Sequence, residues 1–364
     1  MNRSAISSLV LLGGFAFYSS AQGPLPGMPP VLNPRDVYAA DTPNNFSAVV
    51  KGFPSRVYVP NTISNTVSVI DPATFKVVDT LKVGKQPQHV VPSWDMKTLW
   101  VLNDLGNSLT KIDPVTGKLG ETVPVDDPYN MYYTPDGKFA MVVAEQKMHL
   151  NFLDPATMKM KNSVGVPCKG VDHVDFSVDG TYFIASCEFA GALIKVDTAK
   201  QKLIARIDLP EMGMPQDVKI SPDGSAWYIA DMKNHGVHVL DGDKFVQTAF
   251  IPTGKGAHGL YVSRDSKYLY VANRGEGSIS LIEFATRKVA KKWTFPGGGS
   301  PDMGGVSADG KVLWLSGRYN AEVYAIDTVD GKLLARIPVG KGPHGLCVYP
   351  QPGRYSLGHT GIFR

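Results

Sequence analysis

A repeat of about 42 residues runs through most of this chain. Each copy begins with a proline or a small apolar residue, continues into an apolar segment and then reaches a tight turn that usually contains Asp-Gly. Seven anchor residues recur with spacings of 41 to 44 residues: Pro87, Pro128, Val171, Pro215, Ala257, Pro301 and Pro343. A period of this length predicts an architecture in which every unit packs against its neighbours.

Each unit contains four short apolar segments rich in β-branched and aromatic residues, separated by Gly, Pro, Asn and Asp. Residues 217–220, for example, end at the Ser-Pro-Asp-Gly turn 221–224. This pattern predicts strands, and four strands per unit of this length are typical of a propeller blade. We therefore expect an all-β protein, a seven-bladed β-propeller of four-stranded antiparallel blades.

The two ends of the repeat region complement each other. The unit that starts near residue 55 has segments for strands two to four, whereas the unit from 343 to 350 has a segment for strand one only. Pairing the C-terminal strand with the N-terminal three would complete the seventh blade and leave no free sheet edge in the ring. The propeller is predicted to span residues 55–350.

Several segments resemble a known repeat family. Residues 58–61 (YVPN), 64–71 (SNTVSVID) and 270–273 (YVAN) are similar to the YVTN repeats of exported bacterial propellers of the YncE type. The resemblance covers nearly all of residues 55–350 and implies a seven-bladed ring. It says little about activity, because such rings occur in adhesins, binding proteins, haem-binding nitrite reductase domains and copper enzymes.

The N-terminal residues have the pattern of an export signal, with a basic start, an apolar core and a small-residue cleavage site. We predict a signal peptide at residues 1–21, a Pro-rich N-terminal extension at 22–54 and a C-terminal tail at 351–364. The protein is expected to be periplasmic or secreted. No later segment approaches ~20 uninterrupted apolar residues, so no transmembrane segment is expected in the mature chain. The net charge of +4 comes from scattered residues, which argues against a nucleic-acid surface.

The two residues after each anchor are predicted to lie at the mouth of the central channel. Four of the eight histidines fall in these positions: His89, His173, His258 and His344. His89 and His173 stand where the repeat normally carries Gly, so a purely structural explanation is weakest for them. Because a ring brings distant parts of a chain to one axis, these side chains could converge without any local motif.

Neutral imidazole is a common metal ligand. We predict a metal site formed by His89, His173, His258 and His344, with Asp217 as a fifth candidate. Nitrogen-rich ligation favours copper over magnesium or calcium, with zinc, iron or haem as alternatives. The corresponding function is that of a metal-dependent oxidoreductase. Adjacent strand residues alternate in direction, which predicts that His89 and His173 point differently from His258 and His344.

Other residues are candidates for supporting roles. Arg274 and Arg318 follow the second strand of the fifth and sixth blades and could bind a small anionic ligand. Cys168 and Cys187 are expected to lie near the same face, where a disulfide is the first expectation and a thiolate ligand the second. Cys347 is expected to be a small buried apolar residue. His149, His235, His238 and His359 receive no role.

Two other functions remain open. The first is a non-catalytic binding module of the YncE type that presents its loops to a protein, a peptide or a nucleic acid. The second is a haem-binding propeller related to periplasmic nitrite reduction, with a histidine as axial ligand. Motifs for serine hydrolases and for nucleotide binding do not occur in the sequence. No catalytic residue is assigned.

Overall fold

A computed structural model describes residues 23–359 and 361–364. Within them, 28 strands form seven four-stranded antiparallel sheets, together with two short 3₁₀ helices at Glu188–Ala190 and Pro210–Met212. The seven-bladed propeller predicted from the repeat is confirmed. The predicted signal peptide lies outside the described residues.

We number the blades 1 to 7 by their inner strands. The inner strands are β4 Pro87–Pro92, β8 Asn130–Tyr133, β12 Val171–Phe176, β16 Pro215–Ile220, β20 Ala257–Val262, β24 Pro301–Val306 and β28 Cys347–Tyr349. The second strands are β5 Leu99–Asn103, β9 Ala140–Ala144, β13 Tyr182–Cys187, β17 Trp227–Asp231, β21 Tyr268–Asn273, β25 Val312–Gly317 and, in blade 7, β1 Arg56–Asn61.

The two outer strands of each blade follow in the same order. The third strands are β6 Ser108–Ile112, β10 His149–Leu153, β14 Ala192–Asp197, β18 Gly236–Asp241, β22 Ser278–Glu283, β26 Glu322–Asp327 and β2 Thr66–Asp71. The fourth strands are β7 Leu119–Pro124, β11 Met160–Gly165, β15 Lys202–Asp208, β19 Val246–Pro252, β23 Lys288–Thr294, β27 Leu333–Pro338 and β3 Lys76–Lys82.

Blade 7 closes the ring as expected. Strand β28 pairs antiparallel with β1, and the register places Cys347 opposite Tyr58 and Tyr349 opposite Arg56. The sheet order is β28-β1-β2-β3. Since the last inner strand of the chain is held by the first three strands, the ring is closed by backbone hydrogen bonds.

The apolar core lies between neighbouring blades. Trp314 of blade 6, for example, is buried in a cluster with Val57 and Ile70 of blade 7. The first three strands of each blade are mostly buried, whereas the fourth strands are largely exposed. Burial of these large apolar side chains between sheets is the main stabilising contribution to such a fold.

A bulge interrupts the start of several inner strands. In blade 3 the pairing with the second strand skips from Val171 to Val174, and blade 4 shows the same shift between Pro215 and Val218. Equivalent shifts occur in blades 5 and 6. An extra unpaired residue bends the strand and redirects side chains. In these blades the two residues after the anchor are therefore released from strict alternation.

The inner strands begin at one face of the ring, which we call the mouth, and end at the opposite face. The N-terminal extension crosses the opposite face, where the amide of Val37 donates to Pro222 O and that of Asn44 to Ala308 O. The C-terminal tail also covers this face and forms a bridge between Ser356 and Phe363. No helix in the described part of the chain is long and apolar enough to span a membrane.

Candidate functional site

Five histidine rings meet inside the channel: His89, His173, His258, His344 and His359, which we call the histidine cluster. Ring centroids are 4.9 Å apart for His89 and His344, 5.9 Å for His89 and His173, and 6.1 Å for His258 and His344. All five side chains are buried. The four histidines predicted from the repeat therefore converge, and the expected division into two directions is not observed. A bulge redirects the start of the inner strands that carry His89, His173 and His258.

The fifth ring comes from the C-terminal tail. The ring of His359 lies 4.1 Å from that of His89 and 5.5 Å from that of His173. The tail enters the channel from the opposite face along β8, where Tyr133 N donates to Leu357 O and His359 N donates to Met131 O. Since residue 359 lies outside the repeat, the sequence contained no positional signal for its role.

Two of the rings are oriented by acceptors at Nδ1. His89 Nδ1 lies 2.7 Å from the carbonyl oxygen of Tyr129, and His344 Nδ1 lies 2.7 Å from Asp302 Oδ2. These contacts place the proton on Nδ1 and leave Nε2 with a free lone pair. In His89 this Nε2 atom has no hydrogen-bond partner, and in His344 it faces the Tyr129 hydroxyl at 3.4 Å.

His173 is held in a different way. Its Nδ1 lies 3.2 Å from the amide nitrogen of Asn130 and 3.3 Å from the hydroxyl of Tyr132. Both neighbours can donate, so Nδ1 accepts and the proton lies on Nε2. That atom is 3.2 Å from Asp172 Oδ1 but is not aligned with it as a hydrogen bond.

The ring of His89 needs a glycine in the neighbouring blade. A Cβ atom on Gly345 would lie 1.9 Å from Cδ2 of His89. The backbones are also joined there, because Val90 N donates to Gly345 O and Gly345 N donates to Gln88 O. The His-Gly pair at 344–345 thus supplies one imidazole and the space for another.

Burial keeps the imidazoles of the cluster neutral. Burial, reinforced for His89 by the neighbouring His344, lowers the pKa of His89 well below its ordinary value, and burial does the same for His173, His258 and His359. The pKa of His344 falls to about 4. Neutral imidazole is the form that binds metals.

Asp302 connects the cluster to the rim. Its carboxylate contacts His344, lies 3.2 Å from His258 Nδ1 and pairs with Arg274 Nη1 at 3.0 Å. Although burial opposes ionisation, His258, Arg274 and His344 together hold its pKa well below the usual value. Arg274, expected to bind a ligand, is thus already paired with a carboxylate.

The residue directly after each second strand lies on the rim of the mouth. In blades 1 to 7 these residues are Asp104, Glu145, Glu188, Met232, Arg274, Arg318 and Thr62. Acidic residues therefore occupy one side of the rim and arginines another. Within the described residues Arg318 forms no ion pair, and its Nη1 atom is buried without a hydrogen-bond partner. Arg318 is the better-placed arginine for an anion.

The acidic side of the rim is protonated more readily than free carboxyl groups. Burial, with the neighbouring Glu188, raises the pKa of Glu145 to about 8, and burial with Asp127 raises that of Asp104 to about 7. Burial and the nearby Glu188 and Glu145 raise the pKa of Asp172 well above its usual value.

Asp217 has its oxygens engaged elsewhere. They accept hydrogen bonds from the backbone amides of Val218 and Leu260, and Lys219 Nζ lies 3.4 Å away. The bond from Leu260 joins blade 4 to blade 5, so the carboxylate has a structural task and is the weakest of the predicted ligands. Cys168 and Cys187 are joined by a disulfide, and Cys347 is a buried free thiol.

The side chains as they stand do not form a ready-made metal site. Across residues 23–359 and 361–364, no three His, Cys, Asp or Glu side chains are grouped so that they could hold a metal ion. The histidine cluster therefore consists of neighbouring rings whose nitrogens are not directed to one common point.

Comparisons with known proteins agree with the fold. The sequence is 27% identical over 187 residues to antigen Lp49 of Leptospira interrogans serogroup Icterohaemorrhagiae serovar copenhageni (strain Fiocruz L1-130), a match that covers 45% of this chain and 40% of that protein. The chain thus spans less than half the length of this curated relative. The likeness carries no activity over to this protein.

Two solved structures show the same architecture. The periplasmic gluconolactonase PpgL of Pseudomonas aeruginosa is 20% identical, with a TM-score of 0.68 over 82% of this chain and 99% of that chain. The dihydro-heme d1 dehydrogenase NirN, solved in complex with DHE, is 16% identical, with a TM-score of 0.62 over 80% of this chain and 75% of that chain. At these identities the likeness shows the fold alone. The family model described as YNCE-like beta-propeller matches residues 21–353, and the chain belongs to that family.

Proposed function

We propose that this protein is an exported copper-binding propeller in which the histidine cluster holds the metal, and that it acts as an oxidoreductase on a small anion. The observation that carries the proposal is the fifth ring. His359 comes from the tail and not from the repeat, yet its ring lies 4.1 Å from that of His89. A turn residue of the repeat needs no such partner.

The donor chemistry fits copper. A metal–nitrogen distance of ~2.0 Å places ring centroids roughly 3 Å from the ion, so tetrahedral ligands have centroids about 5 Å apart. Neighbouring rings of the cluster have centroid spacings of 4.1 to 6.3 Å, which six of the ten ring pairs meet. His89 and His344 keep Nδ1 bonded to an oxygen acceptor, which is the arrangement that orients metal-binding imidazoles. Small ring rotations would be needed to direct the Nε2 atoms to one point.

The residues around the cluster have separable tasks. His89 and His344 present Nε2, Asp302 orients His344, and Arg318 offers a guanidinium to an anion at the mouth. Bound copper would supply one-electron redox chemistry. The tail occupies the opposite end of the channel, where a cavity lined by Asp41, Lys219 and Arg264 also reaches His359; the mouth is the proposed path of an anion because Arg318 lies there. The disulfide between Cys168 and Cys187 is consistent with an oxidising compartment.

Metal analysis of protein exported under copper-replete conditions tests the site. We expect copper in the wild type and at least a tenfold weaker affinity in His89→Ala and in His359→Ala. His149→Ala is the matched control, because this ring lies on a third strand away from the cluster. A folded wild type that takes up neither copper nor another metal would refute the proposal, and a Soret band would favour haem instead.

Azide titration of the Cu(II) protein tests the anion. Azide bound to Cu(II) gives a charge-transfer absorption band, so its dissociation constant can be measured directly. We expect Arg318→Met to weaken azide binding about tenfold with copper content unchanged. Arg274→Lys is the comparison, since Arg274 is already paired with Asp302. Equal azide binding in Arg318→Met and in the wild type would remove Arg318 from the anion site.

A non-catalytic binding module is the second candidate. It is favoured by the arrangement of the donors, because no three ligating side chains in the described residues are grouped for an ion. Under this alternative, the protein would bind a macromolecular partner at the rim, and binding would persist in a variant whose clustered histidines are replaced by alanine. Metal-free wild type with intact partner binding would support it.

A further inference from the structure

Four lysines lie at equivalent positions around the mouth. Each stands two residues before the anchor of its blade, in the loop that leads into the inner strand: Lys85, Lys169, Lys255 and Lys341, which we call the mouth lysines. They are 84 to 86 residues apart in the sequence and belong to blades 1, 3, 5 and 7. All four are exposed, and in the part of the chain that the structure describes none of them forms an ion pair. Unpaired positive charges therefore surround the channel.

A matching set of lysines on the opposite face has partners. In the turns between first and second strands, four lysines lie 2.9 to 4.0 Å from an Asp carboxylate of the same turn: Lys97, Lys138, Lys267 and Lys311. An acidic residue also ends or directly follows every third strand on that face: Asp71, Asp113, Asp154, Asp197, Asp241, Glu283 and Asp327. The opposite face thus mixes both signs of charge at close range.

The carboxyl groups at the mouth do not balance the mouth lysines. Asp126 and Glu276 already pair with other lysines. Burial raises the pKa of Glu145 to about 8 and that of Asp104 to about 7, which removes much of their negative charge at neutral pH. Glu211 is an exposed carboxylate, but it is one against four. The mouth face therefore carries a positive charge.

Large apolar side chains stand beside the mouth lysines. Ile63 N donates to Lys341 O at 3.1 Å, and Phe189 N donates to Lys169 O at 3.2 Å. The side chain of Ile63 is 69% exposed and that of Phe189 is 52% exposed. Further large apolar side chains exposed on this face are Leu105, Met148, Met212 and Tyr319. One face of the molecule thus combines unpaired lysines with apolar side chains in its loops, the composition of surfaces that bind at a membrane interface.

We infer that the mouth face docks on an anionic lipid surface, with the mouth lysines against the headgroups and the apolar side chains between them. Acidic lipids attract basic residues, and each apolar side chain that leaves water adds to the binding free energy. A flat surface suits a propeller, because equivalent loops of a repeat lie at the same height around the axis. Attachment by charge is reversible and screened by salt, so the mouth is accessible in the undocked protein.

The same residues fit other polyanions less well. Lysine is depleted in protein–protein interfaces, whereas here it recurs in four blades. Nucleic-acid binding surfaces stack bases on aromatic side chains, and the aliphatic side chains of Ile63, Leu105 and Met212 offer no such platform. Lipid is therefore the partner that uses both the charge and the apolar side chains.

Co-sedimentation of the exported protein with vesicles measures the docking. We expect binding to phosphatidylcholine vesicles that contain about 30% phosphatidylglycerol, and at least tenfold weaker binding to phosphatidylcholine alone or at about 1 M salt. K85Q/K169Q/K255Q/K341Q is expected to bind the anionic vesicles at least about thirtyfold more weakly. K97Q/K138Q/K267Q/K311Q is the matched control, because it removes the same charge from the opposite face, and it should stay within about threefold of the wild type.

Tryptophan emission identifies the face that touches the lipid. Phe189→Trp places an indole on the mouth face, and Val329→Trp is the control, because Val329 is 76% exposed on the opposite face. We expect brominated lipid in the anionic vesicles to quench the added emission of Phe189→Trp and to leave that of Val329→Trp unchanged. Circular dichroism verifies that each variant retains the fold.

Two results would overturn the inference: a folded wild type that does not sediment with the anionic vesicles, or equal losses in the two quadruple variants. Binding of a single-stranded oligonucleotide or of an acidic protein in place of the vesicles would assign the mouth lysines to that partner and overturn the lipid surface as well. None of these measurements needs copper, so their outcome is independent of the metal analysis.

Discussion

The two ends of strand β12 carry the same residue in opposite circumstances. Asp172 near the mouth and Asp175 towards the opposite face are both completely buried. The oxygens of Asp175 accept from the amides of Phe176 and Ile220 and pair with the Arg364 guanidinium at 2.9 Å. Those of Asp172 have no hydrogen-bond partner in the described residues, and burial raises its pKa.

Two arginines, Arg264 and Arg318, differ in the same way in their hydrogen-bond partners. Near the opposite face, Arg264 donates to the carbonyl oxygens of Val306 and Ser307 and contacts Gln351 of the tail. At the mouth, Arg318 keeps a buried nitrogen without a partner. At the opposite face the chain termini supply partners to Asp175 and Arg264, although Asp41 and Arg354 each keep a buried atom without one; more such polar groups lie at the mouth, where a ligand could complete them. Buried polar groups without partners are costly, so their concentration at one end points to function.

The largest effect is expected at the opposite face, where Asp175 is fully partnered. Asp175→Asn would leave the Arg364 guanidinium buried without its countercharge, at a cost of about 3 kcal/mol in the free energy of unfolding. Urea denaturation measures this change. Asp175→Asn/Arg364→Met is the control, because it removes both charges and should recover part of the loss. A loss below about 1 kcal/mol in the single variant would show that the pair contributes little.

The next effect concerns the space around His89. Gly345→Ala places a Cβ atom against the imidazole, which should cost about 1–3 kcal/mol and displace the ring. We expect weaker copper binding as well. Gly305→Ala is the matched control in the neighbouring blade, because its Cβ would meet only Val348 at 3.6 Å. Equal stability and copper affinity in the two variants would contradict the role of Gly345.

A change of opposite sign is expected at the mouth. The raised pKa of Asp172 means that the folded protein retains a proton which the unfolded chain releases above pH ~4. An amide resembles the protonated carboxyl, so Asp172→Asn should stabilise the metal-free protein by about 1 kcal/mol at pH 7. Calorimetry of Asp172→Asn and Asp175→Asn at the same pH compares the two changes in thermal stability directly. Destabilisation by both variants would remove the distinction between the two ends.

The smallest effect is a pH dependence at the rim. Burial raises the pKa of Glu145 to about 8, so this group makes stability fall as pH rises from its ordinary pKa towards 8. Glu145→Gln removes that loss. The variant should melt roughly 2 °C higher than the wild type at pH 8.5 and at the same temperature at pH 4. A difference that is equal at both pH values would exclude ionisation of Glu145 as the cause.

The sequence was sufficient for the ring and for part of the site. The anchor residues predicted the seven blades, and the positions directly after them predicted that four histidines lie near the axis. This works because equivalent positions of a repeat occupy equivalent places in the fold. The sequence predicted the direction of these side chains poorly, since simple alternation ignores the bulge at Val171–Val174. It also could not separate Arg274 from Arg318, which occupy equivalent positions but have different neighbours.

Periodicity alone determined that this chain forms seven sheets around an axis, because apolar alternation and turn residues act over a few neighbours in sequence. Tertiary structure decided what occupies that axis. The tail residue His359, the space left by Gly345 and the engagement of Asp217 by the next blade all depend on contacts between segments far apart in the chain. Such contacts are set by ring closure and by the path of the termini, and no local pattern encodes them.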